Sequence, residues 1–381
     1  MNKTILFILC GLFFQIASSQ VIYETIESSK LGESREIKIQ LPRNYDPEGD
    51  ILYPLVVVLD GDYLFEPMIG NADYHSYWGD MPRSIVVGVN QAKSRDSDLS
   101  YSDEFGFPSD DGGAQFFEFI GQELIPYIND NYLTSDFRIM VGHDQSANFI
   151  NYWLFKDKPL FRGYIAFSPD LAPDMATRLQ EKLSTTTEDT FYYLATADND
   201  VKSLREDILE FNTALAGIEN DKLHYRFDDF TDADHYSLVG LGIPKAINEI
   251  FGLYKPINRK EYKEKMLTYE GSPYDYLMKK YEDIEFFYGF EKKVVENDLR
   301  AVLAAAKKKN DVEALKNLSK LARKEYPESM ISAYYAGQYH DMNGNTKKAL
   351  QSYQSGLLLE ESEFISKDML LDLIYDIQDQ N

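Results

Sequence analysis

The feature of this sequence that most constrains its fold is a set of short, unbroken apolar runs rich in β-branched and aromatic residues. They occupy residues 55–59, 85–89, 139–141, 164–167, 191–194 and 223–227. Apolar runs without alternation indicate strands buried on both faces, as in a parallel sheet. Segments with helical periodicity at 114–131, 147–156, 204–216 and 244–251 separate several of these runs. Strands that alternate with helices predict a doubly wound α/β domain, with a half-buried strand at 36–42 before it.

Beyond residue 255 the pattern changes to helical segments that are dense in Lys and Glu. Residues 257–381 carry 19 basic and 22 acidic side chains, a net charge of −3, whereas the rest of the chain carries 20 and 41, a net charge of −21. We therefore predict an α/β domain over 20–255 and an all-helical domain over 256–381. Residues 329–360 fit one tetratricopeptide unit with Gly344 at its turn, and a degenerate unit fits 296–327. The alternative is a plain helical bundle.

The net charge of −24 argues against a nucleic-acid or anionic-membrane partner, because both polyanions would repel the chain. The N-terminus has the pattern of a signal peptide over 1–19, with Lys3 before an apolar stretch at 4–17 and small residues at Ala17 and Ser19. That stretch is shorter than the roughly 20 residues of a membrane span. We expect export to a periplasm or to the medium. The single cysteine, Cys10, would be removed with the signal peptide, so no thiol chemistry is expected.

The segment at 138–147 carries the strongest chemical signal, because a strand there leads through a tight turn into a helix. Its core reads Gly142-His143-Asp144-Gln145-Ser146. In α/β-hydrolases this junction is the nucleophile elbow, Gly-x-Ser-x-Gly, whose strained tip requires small residues two positions away on either side. Gly142 and Ser146 meet that requirement. The position of the nucleophile itself holds Asp144.

Several blocks in this order resemble the putative esterase family, which includes enterochelin (siderophore) esterases, esterase D, and some carbohydrate acetyl and feruloyl esterases. The blocks are the strand and Asp-Gly-Asp at 53–62, the strand at 85–89, Lys93-Ser94-Arg95-Asp96, the helix at 123–132, the elbow strand at 138–143, and the strand and Ser-Pro at 163–169. The resemblance covers about 23–254 and implies an α/β-hydrolase fold. Family members often carry helical repeats after this domain.

The resemblance also implies roles for particular residues. His235 falls at the position of the catalytic histidine, and the acid position falls on Asp198 or Asp200. The backbone N–H groups of Gln145 and of the Gly61–Asp62 segment, assigned to Asp62, would form the oxyanion hole. Every part of an esterase site can be assigned except the nucleophile.

Asp144 changes the chemistry that the elbow can support. A carboxylate that attacks an ester carbonyl gives an anhydride and offers histidine no proton to remove, so we expect impaired or absent ester hydrolysis and a role in binding. The hydroxyl of Ser146 should point into the strand–helix junction, and an Asp144–His235 ion pair would be the inert outcome. The alternatives are an active hydrolase of the carboxylic ester class and one that uses Asp144 as nucleophile. The expected partners are a small ester or sugar-like ligand, and a protein bound by the helical repeats.

Other residues are weaker candidates, here for binding a metal ion. They are Asp60, Asp62, His75, Asp234 and His235, with an acidic loop of Asp228, Asp229, Asp232 and Asp234. The spacing of these residues fits no standard metal site, so neither a metal nor a cofactor is predicted. An aromatic segment follows the first core strand and could line a pocket or pack as an ordinary loop. It comprises Tyr74, His75, Tyr77 and Trp78.

Overall fold

The computed structural model describes residues 21–110 and 112–379, so the predicted signal peptide and Cys10 lie outside the described residues. An eight-stranded sheet dominates the first two thirds of the chain. Its strands are β1 Ile22–Ser28, β2 Glu33–Gln40, β3 Tyr53–Val58, β4 Ile85–Val89, β5 Thr134–His143, β6 Gly163–Phe167, β7 Thr190–Asn199 and β8 Leu223–Asp234. The strand order is β1-β2-β4-β3-β5-β6-β7-β8. Six neighbouring strands of the sheet, β4-β3-β5-β6-β7-β8, are mutually parallel. Strand β2 runs antiparallel to both of its neighbours, β1 and β4.

Helices cover both faces of the sheet. They are α1 Phe65–Tyr77, α2 Arg95–Asp98, α3 Gly113–Phe119, α4 Ile125–Asn131, α5 Gln145–Phe149, α6 Met175–Ser184, α7 Lys202–Ala216 and α8 Ser237–Ile250. A π-helical turn at Ile120–Leu124 joins α3 to α4, and a 3-10 turn at Ile150–Phe155 extends α5. The predicted helices at 114–131 and 147–156 therefore occur as composite helices.

Alternate residues of the buried strands supply two separate cores. In β3, Leu55 and Val57 belong to the core under α3 to α7, whereas Val56 and Val58 belong to the core under α1 and α8. All four side chains are fully buried. Burial on both faces explains why these strands appear in the sequence as continuous apolar runs. The α/β-hydrolase-type fold class predicted from the sequence is confirmed.

The last third of the described chain is helical, apart from one isolated bridge between Ser329 and Glu360. Its helices are α9 Arg259–Glu261, α10 Pro273–Tyr288, α11 Glu296–Lys309, α12 Val312–Glu325, α13 Met330–Met342, α14 Thr346–Gly356 and α15 Lys367–Asp379. The close packing of α13 on α14 depends on a missing side chain, since a Cβ at Gly337 would lie 2.1 Å from the Tyr353 ring. The tetratricopeptide assignment and the domain limits stay predictions.

Helix α10 does not belong to the helical core alone. Its residues Ile284 and Tyr288 are part of the sheet core under α1 and α8. The Tyr288 ring meets Phe137 of β5 edge-on at 5.0 Å, and its hydroxyl donates to the carbonyl of Ile250 at 2.8 Å. The C-terminal third therefore covers part of the sheet.

Two features of the α/β part differ from the sequence-based expectations. The aromatic segment at 74–78 is not a loop, because 74–77 form the last turn of α1, which begins at Phe65. Strand β1 and helix α6 also occur where no element is predicted. Within the described residues, no helix combines the length and the apolar character needed to cross a membrane.

Candidate active site

The chemistry-bearing residues converge at the carboxyl edge of the parallel strands. Asp60 follows β3, Asp144 follows β5, Ser168 follows β6, Asp200 follows β7 and His235 follows β8. The strand order reverses at β3, since β4 lies on one side of it and β5 on the other. Open α/β sheets bind ligands in the crevice at such a switch point.

The elbow turn holds Asp144 in a strained backbone conformation. Its φ of 62° and ψ of −125° lie outside the regions that L-residues usually occupy. A Cβ at Gly142 would lie 2.5 Å from the carbonyl group of Ser146, so only glycine fits there. The fully buried Ser146 hydroxyl donates to the His143 carbonyl at 2.9 Å and accepts from the His143 N–H at 2.8 Å. Its bonding is therefore local, as expected from the sequence.

A hydrogen-bonded acid–histidine pair lies next to the elbow. His235 Nδ1 is 2.8 Å from Asp200 Oδ1, and the Asp200 side chain is fully buried. Asp198, the other candidate acid, instead accepts from the Asp232 N–H and from the side chain of Asn199. Of the two alternatives that the sequence left open, only Asp200 contacts the histidine.

Hydrogen bonds fix the Asp200 carboxylate in its ionised form. Burial alone would raise its pKa, but bonds from His235, Thr196, Ser168 and the Val201 N–H lower the pKa to about 2. The pKa of His235 is raised, chiefly by its hydrogen bond to Asp200, against the opposing effect of burial, and further by the charges of Asp200, Asp144 and Asp234. The imidazolium form is therefore more stable here than in a free histidine.

Ser168 is a member of this network that the sequence analysis did not single out. It is fully buried, its φ is 42°, and its hydroxyl lies 3.1 Å from His235 Nδ1. The sequence signals for it are its position directly after the buried strand β6 and its place in the Ser-Pro block that resembles the esterase family. Its positive φ, which turns the hydroxyl toward the pair, cannot be inferred from the residue type.

Arg95 is the cation that faces Asp144. Its guanidinium makes a two-pronged pair with the buried Asp60, at 2.7 and 3.1 Å, and lies 3.4 Å from Asp144 Oδ2. Among the described residues, no direct hydrogen bond or ion pair joins Asp144 to His235. In place of a direct Asp144–His235 ion pair, Asp200 pairs with the histidine and Arg95 with the elbow carboxylate; a contact of Asp144 with His235 through one water stays a prediction.

His143, the residue before the elbow tip, stays neutral. Burial lowers its pKa, and the nearby His235 lowers that pKa further. Its Nε2 lies 2.8 Å from the His235 carbonyl oxygen, which can only accept, so Nε2 carries the proton. Nδ1 then accepts from the Tyr63 hydroxyl at 3.0 Å. These bonds hold the segment that carries His235 against the elbow.

The two backbone groups predicted for the oxyanion hole have different surroundings. Gln145 begins α5, and the first N–H groups of a helix have no partner within it. The Gly61 N–H already donates to the Val89 carbonyl, at 2.8 Å. Of Gly61 and Asp62, it is therefore Asp62 whose N–H we expect as the second donor of the oxyanion hole. The Asp62 carboxylate accepts from the N–H groups of Gln91 and Ala92, which ties this turn to the loop after β4.

The weaker candidates do not assemble into a cation site. No group of three or more His, Cys, Asp or Glu side chains in the described ranges is arranged to hold a metal ion. Asp60 is paired with Arg95, and Asp229 with Arg205. His75 is buried in α1, with Nδ1 3.9 Å from Asp80.

Three features together define an α/β-hydrolase. They are the strained elbow after β5, the acid–histidine pair after β7 and β8, and the order of the strands in the sheet. The model of the family described as "Putative esterase" matches residues 28–207, which include Arg95, Asp144 and Asp200 but not His235. The chain belongs to this esterase family. The comparison with curated proteins gave no match.

Solved structures extend the likeness beyond the residues that the family model matches. An uncharacterised protein from Capnocytophaga ochracea is 32% identical, with a TM-score of 0.82 over 94% of this chain and 100% of that one. An IroE-like serine hydrolase from Shewanella oneidensis is 22% identical, with a TM-score of 0.60 over 79% and 98%. The siderophore hydrolase EstA from Aspergillus nidulans is 15% identical, with a TM-score of 0.53 over 67% and 100%. The last two likenesses concern the fold.

Proposed function

We propose that this member of the esterase family is impaired or noncatalytic in ester hydrolysis, and that its site acts by binding a ligand or a partner. The observation that carries the proposal is the carboxylate of Asp144 at the elbow tip, paired with Arg95 at 3.4 Å. An esterase needs a hydroxyl there, from which histidine removes a proton as the oxygen bonds to the ester carbon. The Asp144 carboxylate has no such proton.

The surrounding charges act in the same direction. The charge of Asp144 adds to the hydrogen bond with Asp200 in raising the pKa of His235, so Asp144 makes the histidine harder to use as a general base than the pair with Asp200 alone would. The negative charge of Asp144 also opposes the negative charge that develops on an ester oxygen during attack. A small ester or sugar-like molecule could therefore bind at the crevice without being cleaved.

Restoring the nucleophile tests this proposal. Asp144→Ser should raise p-nitrophenyl acetate hydrolysis at least tenfold over the wild type, about 1.4 kcal/mol of activation free energy. Asp144→Asn is the matched control, because it removes the charge without supplying a nucleophile, and it should give no such gain. The double variant Asp144→Ser/His235→Ala should lose the gain.

Two results would contradict the proposal. If the wild type hydrolyses the ester and Asp144→Ser is slower, Asp144 is a working nucleophile. If Asp144→Ser and Asp144→Asn give equal rates, the retained acid–histidine pair does not serve an elbow hydroxyl.

The intact His235–Asp200 pair favours one alternative, an active hydrolase with Asp144 as nucleophile. A carboxylate oxygen would bond to a saturated carbon while the leaving group departs with its electron pair. Water deprotonated by His235 would then attack the new ester at the Asp144 carboxyl carbon and release an alcohol. A single turnover of an alkyl halide in heavy-oxygen water should in that case label the Asp144 carboxylate. An unlabelled protein would exclude this route.

We also propose export and a protein partner for the helical region, on the signal-peptide pattern at 1–19 and the repeat pattern at 329–360. Mature protein recovered from the producing cell should begin at Gln20. An intact N-terminus would contradict export.

A further inference from the structure

The exposed face of helix α1 carries a cluster of aromatic side chains that the proposed active site does not use. Tyr74, Tyr77 and Trp78 are 62%, 63% and 63% exposed. The opposite face of the helix buries Phe65, Met68, Ala72 and His75 in the sheet core. These three aromatic residues therefore contribute little to the core, and such exposed clusters often mark binding sites. We call Arg43, Gly70, Asp73, Tyr74, Tyr77 and Trp78 the α1 patch.

The α1 patch lies near the amino ends of the parallel strands, whereas Asp144 lies at their carboxyl ends. Helix α1 begins just after the carboxyl end of β3 and runs back toward the start of that strand. Arg43 of the patch is linked to this end, because its carbonyl accepts from Arg83, whose guanidinium lies over the ring of Tyr53, the first residue of β3. The patch is therefore a surface distinct from the elbow.

The patch forms a shallow depression of about 560 Å³. Gly70 lies on the exposed face, where a Cβ would meet no atom within 4 Å. Glycine inside a helix costs about 1 kcal/mol relative to alanine, and no close packing in the structure requires it at this position. The absent side chain keeps the depression open beside the aromatic rings.

Polar groups complete the patch. Arg43 donates two hydrogen bonds to the Asp73 carboxylate, both at 2.6 Å, and its guanidinium lies 5.3 Å from the Tyr77 ring centre. The two side chains remain 53% and 38% exposed. They offer donors and acceptors next to aromatic faces, which carry partial negative charge.

We propose that the α1 patch binds a neutral carbohydrate. The C–H bonds on one face of a pyranose ring are slightly positive and pack against aromatic faces, while its hydroxyls both donate and accept hydrogen bonds and so match Arg43 and Asp73. A neutral chain is favoured over an acidic one because the chain carries a net charge of −24.

A protein partner fits the patch less well. The three rings expose on the order of 400 Å² together, given 150–250 Å² for each whole side chain. A stable interface needs about 800 Å² on each partner. A proline-rich peptide also docks on aromatic rings, but proline lacks the N–H that could donate to Asp73.

Tryptophan fluorescence offers a direct test, because the chain has two tryptophans and Trp153 is only 2% exposed. Acrylamide should therefore quench mainly Trp78. Saturation with barley β-glucan, arabinoxylan or galactomannan should lower the quenching constant at least twofold for at least one of these polysaccharides. The same polysaccharide should retard the protein in affinity gel electrophoresis.

Variants decide which surface is responsible. Trp78→Ala should weaken the retardation at least tenfold, whereas Tyr375→Ala, a 57% exposed aromatic residue on α15, should leave it unchanged. Equal retardation of both variants would overturn the proposal, as would no protection by any of the three polysaccharides. Protection by a polyproline peptide alone, or a loss of self-association in Trp78→Ala without sugar binding, would assign the patch to a protein partner instead. Asp144→Ser should bind the polysaccharide like the wild type, which separates this result from the proposed function.

Discussion

Two regions at the carboxyl ends of the strands, the His235 network and the elbow tip, differ in how closely they match the arrangement of an ester hydrolase. On one side, His235, Asp200 and Ser168 form a buried hydrogen-bonded network. On the other, the strained tip carries Asp144, whose carboxylate faces Arg95. The histidine half therefore remains arranged for proton transfer, while the tip has no proton to give. The two halves therefore differ in the group that each offers for proton transfer, and the difference lies at the single position of Asp144.

The largest effect should come from the turn on which both halves depend. Gly142→Ala should lower the free energy of unfolding by about 3 kcal/mol, because the new Cβ would overlap the Ser146 carbonyl group. Gly240→Ala is the matched control, since no atom lies within 4 Å of its Cβ, and it should stabilise α8 by about 0.5–1 kcal/mol. Urea denaturation measures both. A loss below 1 kcal/mol for Gly142→Ala would show that the turn can relax.

Ser146→Ala should cost about 1–3 kcal/mol of unfolding free energy, because it removes the hydroxyl that accepts from the buried His143 N–H and leaves the His143 carbonyl with only its longer bond from Arg95, at 3.3 Å. Ser355→Ala, at an exposed position on α14, should stay within about 0.5 kcal/mol. In the Asp144→Ser background, Ser146→Ala should retain ester hydrolysis in the fraction that is folded. Loss of hydrolysis in fully folded protein would make Ser146 more than a structural residue.

Asp200→Asn should lower the pKa of His235, because the hydrogen bond to Asp200 is the main cause that raises it and burial then acts unopposed by this bond. Imidazole nitrogen NMR measures the change. Asp198→Asn is the control and should leave the His235 pKa nearly unchanged. An equal fall in both variants would contradict the assignment of Asp200 as the partner.

The same pair makes stability depend on pH in a defined direction. Because the folded-state pKa of His235 is raised, its contribution to stability is complete below the unfolded value near 6.5 and is lost as pH rises through the folded value. The lowered pKa of Asp200 contributes above about 3.8, and this contribution is lost as pH falls toward about 2. Asp200→Asn should make the free energy of unfolding less dependent on pH in both of these pH ranges.

The smallest expected effect concerns the elbow carboxylate. Asp144→Asn should also lower the His235 pKa, but by less than Asp200→Asn, since Asp144 acts only through its charge. The same NMR titration tests this. An effect as large as that of Asp200→Asn would indicate a direct Asp144–His235 contact in solution.

The sequence predicted the sheet well, because strands such as β3 are buried on both faces and leave continuous apolar runs. The resemblance to the esterase family also predicted that Asp144 and His235 lie together at the carboxyl ends of the strands. The sequence could not separate Asp198 from Asp200, since the two lie two residues apart at the end of β7, Asp198 inside the strand and Asp200 directly after it, and only the backbone path turns one toward His235. Arg95 as the partner of Asp144 and Ser168 as a neighbour of His235 depend on loop geometry, which residue types do not encode locally.

Helix α1 shows a different limit. Its exposed face carries Tyr74, Tyr77 and Trp78, so the usual contrast between an apolar and a polar face is weak, and the segment has the composition of an aromatic loop. The residues that obscured the helix in the sequence are those of the α1 patch.

The position of Tyr288 has a consequence for the order in which the protein can fold during synthesis. The sheet is complete at Asp234 and Phe251 also packs on Phe137, but the part of the Phe137 ring that meets Tyr288 stays uncovered until Tyr288 has been made, 54 residues after Asp234. A ribosome adds 5–20 residues each second, so this surface waits for about 3–11 s. Throughout that interval the nascent chain presents an apolar face that a chaperone could recognise, and a chain truncated before α10 would present it permanently.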